Sequence, residues 1–224
     1  MAKDKLFHKK RQRKANNFER AIEWRKSNEV VLIVCEGEKT EPNYLRGLIG
    51  ALRISSATIN ILDTEHGSDP VSVLNAAVAE FEKDTSLYDR VYCVFDRDGH
   101  ANYAAALKLA QNHELSKSKV LFVAHSVPCF EISLLLHFKY TTHAYVKAGN
   151  KSPCDRLISD LKHAGLLPNY EKNHKGIYEL VSARTGTAIR HAKMLDKYNR
   201  GVGSDNPSTK MHDLVTYLTR IAPK

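Results

Sequence analysis

Two short segments place acids where chemistry could use them. Glu36-Gly37-Glu38 follows the apolar run Val30–Cys35, and Asp96-Arg97-Asp98-Gly99 follows Val91–Phe95. Carboxylates brought together repel: two unit charges 4 Å apart cost about 4 kcal/mol at an effective dielectric near 20. Such a set shifts its pKa values or takes up a cation. Magnesium accepts one or two carboxylates, keeps several waters and meets phosphate oxygens. Acids at the ends of two such runs, if brought together, are therefore candidate ligands for Mg²⁺ (or Mn²⁺) at a phosphate-handling site. In extended chain, residues i and i+2 point the same way, which predicts that Asp96 and Asp98 face one spot. Ordinary Glu–Gly and Asp–Gly turns are the competing account of each segment taken alone.

The acids converge only if the runs before them are strands of one sheet. Val30–Cys35, Ala57–Leu62, Val91–Phe95 and Val120–Ala124 have the apolar, β-branched character of buried strands. Helical patterns separate them. Thr40 is placed to cap a helix reaching about Gly50. Asp69 can cap the next, with Pro70 at its first position and Val71, Leu74, Ala77, Val78 and Phe81 in one stripe. A third covers Ala101–Glu114, and Pro128 opens "CFEISLLLHF" as a fourth. Strands alternating with helical crossovers predict an α/β fold, a parallel-rich sheet sandwiched by helices. Ligands of such sheets sit outside the carboxyl ends of the strands, where both acidic segments fall.

Three regions are expected: a basic, partly disordered arm over 1–27, an α/β core over 28–150, and a helical portion over 151–224 packed on the core. The last contains a helix ending near Lys162 with Gly165 after it, helices over Gly176–Ala183, Thr187–Lys197 and Thr209–Ile221, and the loop "NRGVGSDNPST". Of the net charge of +9, residues 1–27 carry +7, from ten Lys/Arg against three Asp/Glu. A basic arm of this kind suits the phosphate backbone of nucleic acid and predicts steeply salt-dependent binding.

No apolar run approaches the roughly 20 residues that span a bilayer, and "MAKDKLFHKKRQRK" lacks the apolar stretch of a secretory signal. A cytoplasmic protein with no membrane role is expected. Cys35, Cys93, Cys129 and Cys154 form no CxxC pair and are expected as buried thiols rather than zinc ligands. "GEKT" lacks the spacing of a P-loop, and no HExxH occurs. His100, two residues beyond the aspartate pair, is the histidine placed to matter.

Taken together, "VCEGEKTEPNYLRGL", "VFDRDGH", "VPCFEISLLLHF" and "NPSTKMHDLVTYL" resemble RloB-like proteins, whose core is similar to the Toprim fold. The resemblance runs from Glu29 to Leu218. It implies that Glu36 is the Toprim glutamate and that Asp96 and Asp98 are its DxD pair, binding magnesium as in OLD-type nucleases. It also implies genes beside a restriction-modification system, an ATPase partner and a role against phage. Glu41 corresponds to a second acid after the first, at a gap of five residues. Glu131 of "PCFE", at the first turn of a helix, is a candidate further metal ligand or a partner of the helix dipole, and Lys175 of "NHKGIYEL" is a candidate to steady the scissile phosphate. The chain departs from the family pattern at Val127 and Ser133, beside that glutamate.

The resulting expectation is a metal-dependent nuclease, acting on RNA or DNA, with Glu36, Asp96, Asp98 and Lys175 in catalysis and Glu41 and Glu131 completing the metal set. The alternative is a non-catalytic metal- and nucleic-acid-binding or signalling subunit that works with the ATPase.

Overall fold

Five consecutive apolar residues, Val31–Cys35, form β1 and are buried at every position. A strand with one face in water would alternate instead. The computed structural model describes residues 29–63, 69–113, 115, 119–163 and 165–223. The basic arm expected over 1–27 lies outside them. The remaining strands are β2 (Ile59–Asp63), β3 (Arg90–Asp96), β4 (Leu121–Val127) and β5 (Ser208–Thr209). They form one sheet in the order β2-β1-β3-β4-β5. The first four are parallel, and β5 runs antiparallel to the end of β4. This mixed α/β arrangement fits the Toprim-like fold that the sequence motifs implied.

Crossover helices α1 (Thr40–Ala51), α2 (Pro70–Lys83) and α3 (Tyr103–Asn112) connect the parallel strands. Asp69 caps α2 as expected, its Oδ1 accepting the Val71 and Ser72 amides at 3.0 and 3.3 Å. Thr40 does not cap α1. It lies inside the first turn, and its hydroxyl donates to the Lys172 carbonyl instead.

The alternation of side chains along β1 divides the core in two. Leu32 and Val34 face Leu74, Phe81 and Ala106 of α2 and α3. Val31, Ile33 and Cys35 face α1 and the later helices. Those are α4 (Glu131–Leu135), α5 (Pro153–His163), α6 (Ile177–Val181), α7 (Thr185–Val202) and α8 (Met211–Ile221), with a 3-10 turn over Ser182–Arg184. Gly165 and Gly203 follow α5 and α7 at φ +68° and +65°, the left-handed conformation that lets a helix end sharply.

Two elements differ from expectation. α4 stops at Leu135, because the Leu136 carbonyl bonds His191 Nδ1 at 2.8 Å and the chain tightens into i→i+3 turns at His137 and Phe138. β5 falls in a segment expected to be a loop. Its Thr209 hydroxyl bonds those of Ser126 and Ser133 at 3.1 and 2.8 Å, and this pairing carries β4 three residues past Ala124. Among the described residues, no helix is long and apolar enough to cross a membrane.

Candidate metal centre at the carboxyl edge

In register, Cys35 pairs with Val94 and Asp96 with Ser126, so β1, β3 and β4 end side by side. Glu36 leaves β1 at that edge. Its Oε2 accepts the Asp96 backbone N–H at 2.9 Å, and its Oε1 lies 2.8 Å from His100 Nε2. Asp96 closes β3, and its Oδ2 accepts the Phe130 N–H at 3.0 Å, just before α4. Glu41 arrives from the first turn of α1 and Glu131 from the start of α4; they are 7% and 2% exposed.

These carboxyl groups act on one another. Burial, then the charges of Glu41, Glu131 and Glu36, hold Asp96 far above the usual carboxylate range, against the pull of the Phe130 N–H. Glu41 is pushed up to about 7, mainly by burial, with Glu131 and Glu36 adding; its own backbone N–H and Lys172 pull the other way. Burial also raises Glu36, opposed by the Asp96 N–H and His100 and reinforced by Asp98 and Asp69. Glu36, Glu41, Asp96 and Glu131 thus form a loose nest of hard oxygen donors that feel one another's charge, although no three of them bring an oxygen each within 4.8 Å of one another. That donor set fits Mg²⁺ or Mn²⁺.

Gly37 makes room for one of them. A Cβ there would sit 2.7 Å from Glu41 Oε2, so only glycine lets this carboxylate fold back beneath the strand end.

Asp98 occupies a different place from the one its spacing predicted. β3 ends at Asp96, and Asp98 turns into the left-handed region at φ +32°, exposed, with its N–H donating to the Pro128 carbonyl at 2.9 Å. The i, i+2 relation of extended chain therefore does not apply. Asp98 bears on Glu36 from the outer side, while the acids acting most strongly on Asp96 come from α1, α4 and β1.

Lys175 is exposed and makes no ion pair with a described acid. Lys172 lies closer: its Nζ is 4.0 Å from Glu131 Oε1, and the Tyr170 hydroxyl donates to the same oxygen at 2.7 Å. The Thr40–Lys172 hydrogen bond fastens this segment over the nest. Neither Tyr170 nor Lys172 carries a sequence signal, since they lie in a turn with no periodicity.

The cysteines correct one expectation. Cys35 and Cys93 are buried thiols, with Cys93 raised by burial, but Cys129 and Cys154 form a disulfide. With Glu131 these two make the one group of three metal-ligand types found close together among the described residues. Their sulfurs are bonded to each other, so neither offers the thiolate that a soft metal needs.

Residues 31–218 match the family model described as RloB-like protein. No curated protein and no solved structure matches the chain.

Proposed function

The chain belongs to the RloB-like family, and from that premise we propose that it is a metal-dependent Toprim-type nuclease of a bacterial defence system, hydrolysing phosphodiester bonds. The family's link to restriction-modification and defence supports the setting. The observation that carries the chemistry is that Glu36 and Asp96 meet at the ends of β1 and β3, the Asp96 N–H donating to Glu36 at 2.9 Å, with buried Glu41 and Glu131 acting on Asp96 from α1 and α4. These residues, with Asp98 at the outer edge, would hold Mg²⁺ or Mn²⁺. The bound cation would supply positive charge to draw a phosphate in and to acidify a water.

The remaining work falls to the chain itself. The Phe130 N–H and the Tyr170 hydroxyl fix the orientations of Asp96 and Glu131. Fixed ligands avoid reorganisation as charge develops. The 2.8 Å contact between His100 and Glu36 sets an imidazole and a carboxylate, the groups that serve general acid–base catalysis, side by side at the sheet edge. Lys172, on an exposed stem beside Glu131, is better placed than Lys175 to meet a phosphate oxygen as a point charge. An ATPase partner and a cytoplasmic setting belong to the same reading.

The test is a calorimetric titration of Mn²⁺ into the wild type and Asp96→Asn/Asp98→Asn, followed by assays on tRNA, single-stranded DNA and duplex DNA. Binding and cleavage in the wild type, both lost in the variant, are expected. Binding in neither protein would sink the metal centre. Metal binding without cleavage, even with the ATPase present, would favour a non-catalytic subunit.

A further inference from the structure

Away from the acids, α7 carries a row of exposed basic side chains. Arg190, Lys193, Lys197 and Arg200 fall at i, i+3, i+7 and i+10, within one arc of the helix, and all are exposed. Arg190, Lys193 and Lys197 have no ion pair with a described acid. The one acid of the helix, Asp196, is engaged by Lys210 at 2.7 Å as well as by Arg200 at 3.5 Å. Residues 28–224 hold 24 Lys/Arg against 22 Asp/Glu, so their net charge is only +2. The stripe is therefore a local concentration of charge on a nearly neutral body.

Beside it runs a second stripe. Met194, Tyr198 and Val202, at i, i+4 and i+8, are 46%, 44% and 55% exposed. A helix in a folded protein ordinarily turns such residues inward. The inward face of α7 already has Ala192, Leu195 and Asn199 for that purpose.

The C-terminal end of α7 is tied to the acid edge. After Gly203, Asp205 pairs with Arg97, between Asp96 and Asp98, whose Nη1 lies 2.8 Å from each carboxylate oxygen. The chain then enters β5, whose Thr209 pairs with Ser126, the residue in register with Asp96. The stripes thus lead toward the candidate metal centre.

We infer that α7 is a track for single-stranded nucleic acid, with phosphates on the Arg190–Lys193–Lys197–Arg200 stripe and unstacked bases against Tyr198 and Met194. A positive row flanked by an exposed aromatic is the arrangement that holds single strands without reading sequence. From Arg190 to Arg200 the helix rises about 15 Å, comparable to four or five nucleotide steps of about 3.4 Å. The inference deepens the proposed nuclease function and rests on it for the direction of the track. Its binding test stands apart from cleavage.

The experiment is fluorescence anisotropy with labelled 12-nucleotide single strands of RNA and of DNA, and with a 12-base-pair duplex. It uses the full chain in EDTA over a range of KCl concentrations. Arg190→Gln/Lys193→Gln/Lys197→Gln changes only exposed side chains. Its slope of log affinity against log salt should be shallower by about 2, from about 0.7 per lost single-strand phosphate contact. Tyr198→Ala should weaken single-strand binding about ten-fold with an unchanged slope. Equal affinity for the RNA and DNA strands would place recognition on phosphate and base faces; a preference for RNA would add the 2′-hydroxyl to the same track. A wild-type slope in the triple variant would overturn the inference, as would stronger binding to duplex than to single strands. Mn²⁺ titration of the triple variant separates the two readings. Normal metal binding with normal oligonucleotide affinity removes the track and leaves the metal centre standing.

Discussion

Glu41→Gln should alter how the stability of the metal-free protein depends on pH, by an amount the site itself sets. Burial beside Glu131 and Glu36 moves Glu41 from an ordinary 4.5 to about 7. The folded state therefore binds more protons than the unfolded state between those values. Stability is full below pH 4.5 and falls as pH rises toward 7, where the buried carboxyl ionises. At about 1.4 kcal/mol per pKa unit, the loss is about 3 kcal/mol. His125 and His137 act in the opposite sense. Burial lowers both to about 4, so their contribution rises as pH climbs from 4 to 6.5. The raw profile is thus a sum of opposed slopes, and the difference between wild type and Glu41→Gln isolates the glutamate. Urea unfolding in EDTA from pH 4.5 to 8.5 measures it. Wild-type stability relative to the variant should drop by about 3 kcal/mol over that range. Glutamine also relieves Asp96 of a neighbouring charge, which enlarges the drop. A difference that stays flat with pH would refute the nest. At pH 8, Mn²⁺ should recover the lost stability in the wild type and do less in the variant, since a ligand bound only by the folded state stabilises it.

Three further perturbations probe the parts that hold the nest. Gly37→Ala puts a methyl 2.7 Å from Glu41 Oε2 and should displace that carboxylate; thermal unfolding should show little loss without metal and a clearly smaller rise on adding Mn²⁺. Tyr170→Phe removes the hydroxyl that bonds buried Glu131 and should cost about 1 to 3 kcal/mol in urea unfolding, whereas Lys175→Ala, at an exposed position, should cost under about 0.5 kcal/mol. A dithiol reductant should lower wild-type stability by about 3 kcal/mol, the cost of freeing a link between residues 25 apart, and should leave Cys154→Ser unchanged.

The parts of the fold that the sequence made legible are those with local causes. Val31–Cys35 is a buried strand because each residue is apolar, and Asp69-Pro70 starts a helix because one supplies the cap and the other the fixed φ. The parallel order then put Glu36 and Asp96 at one edge. What could not be read depends on distant partners. Ser208–Thr209 is too short to announce itself and exists as a strand because β4 offers an edge. Thr40 looks like a cap, but the helix begins on it, and its hydroxyl donates to the distant Lys172 carbonyl. Asp98 fits the i, i+2 rule only while the chain stays extended, and it does not. Cys129 and Cys154 meet because the turn after β4 and the start of α5 are brought together across the fold.

The order in which the site's parts occur along the chain matters while the protein is being made. All five acids lie within residues 36–131, but Tyr170 and Lys172, which fasten the nest, come later, and β5 later still. A chain emerging from the ribosome N-terminus first therefore exposes its acids before it possesses the residues that hold them in place. Synthesis happens amid messenger, transfer and ribosomal RNA. For a nuclease, retaining groups translated after the acids postpone competence until those later segments have emerged, without any separate inhibitor.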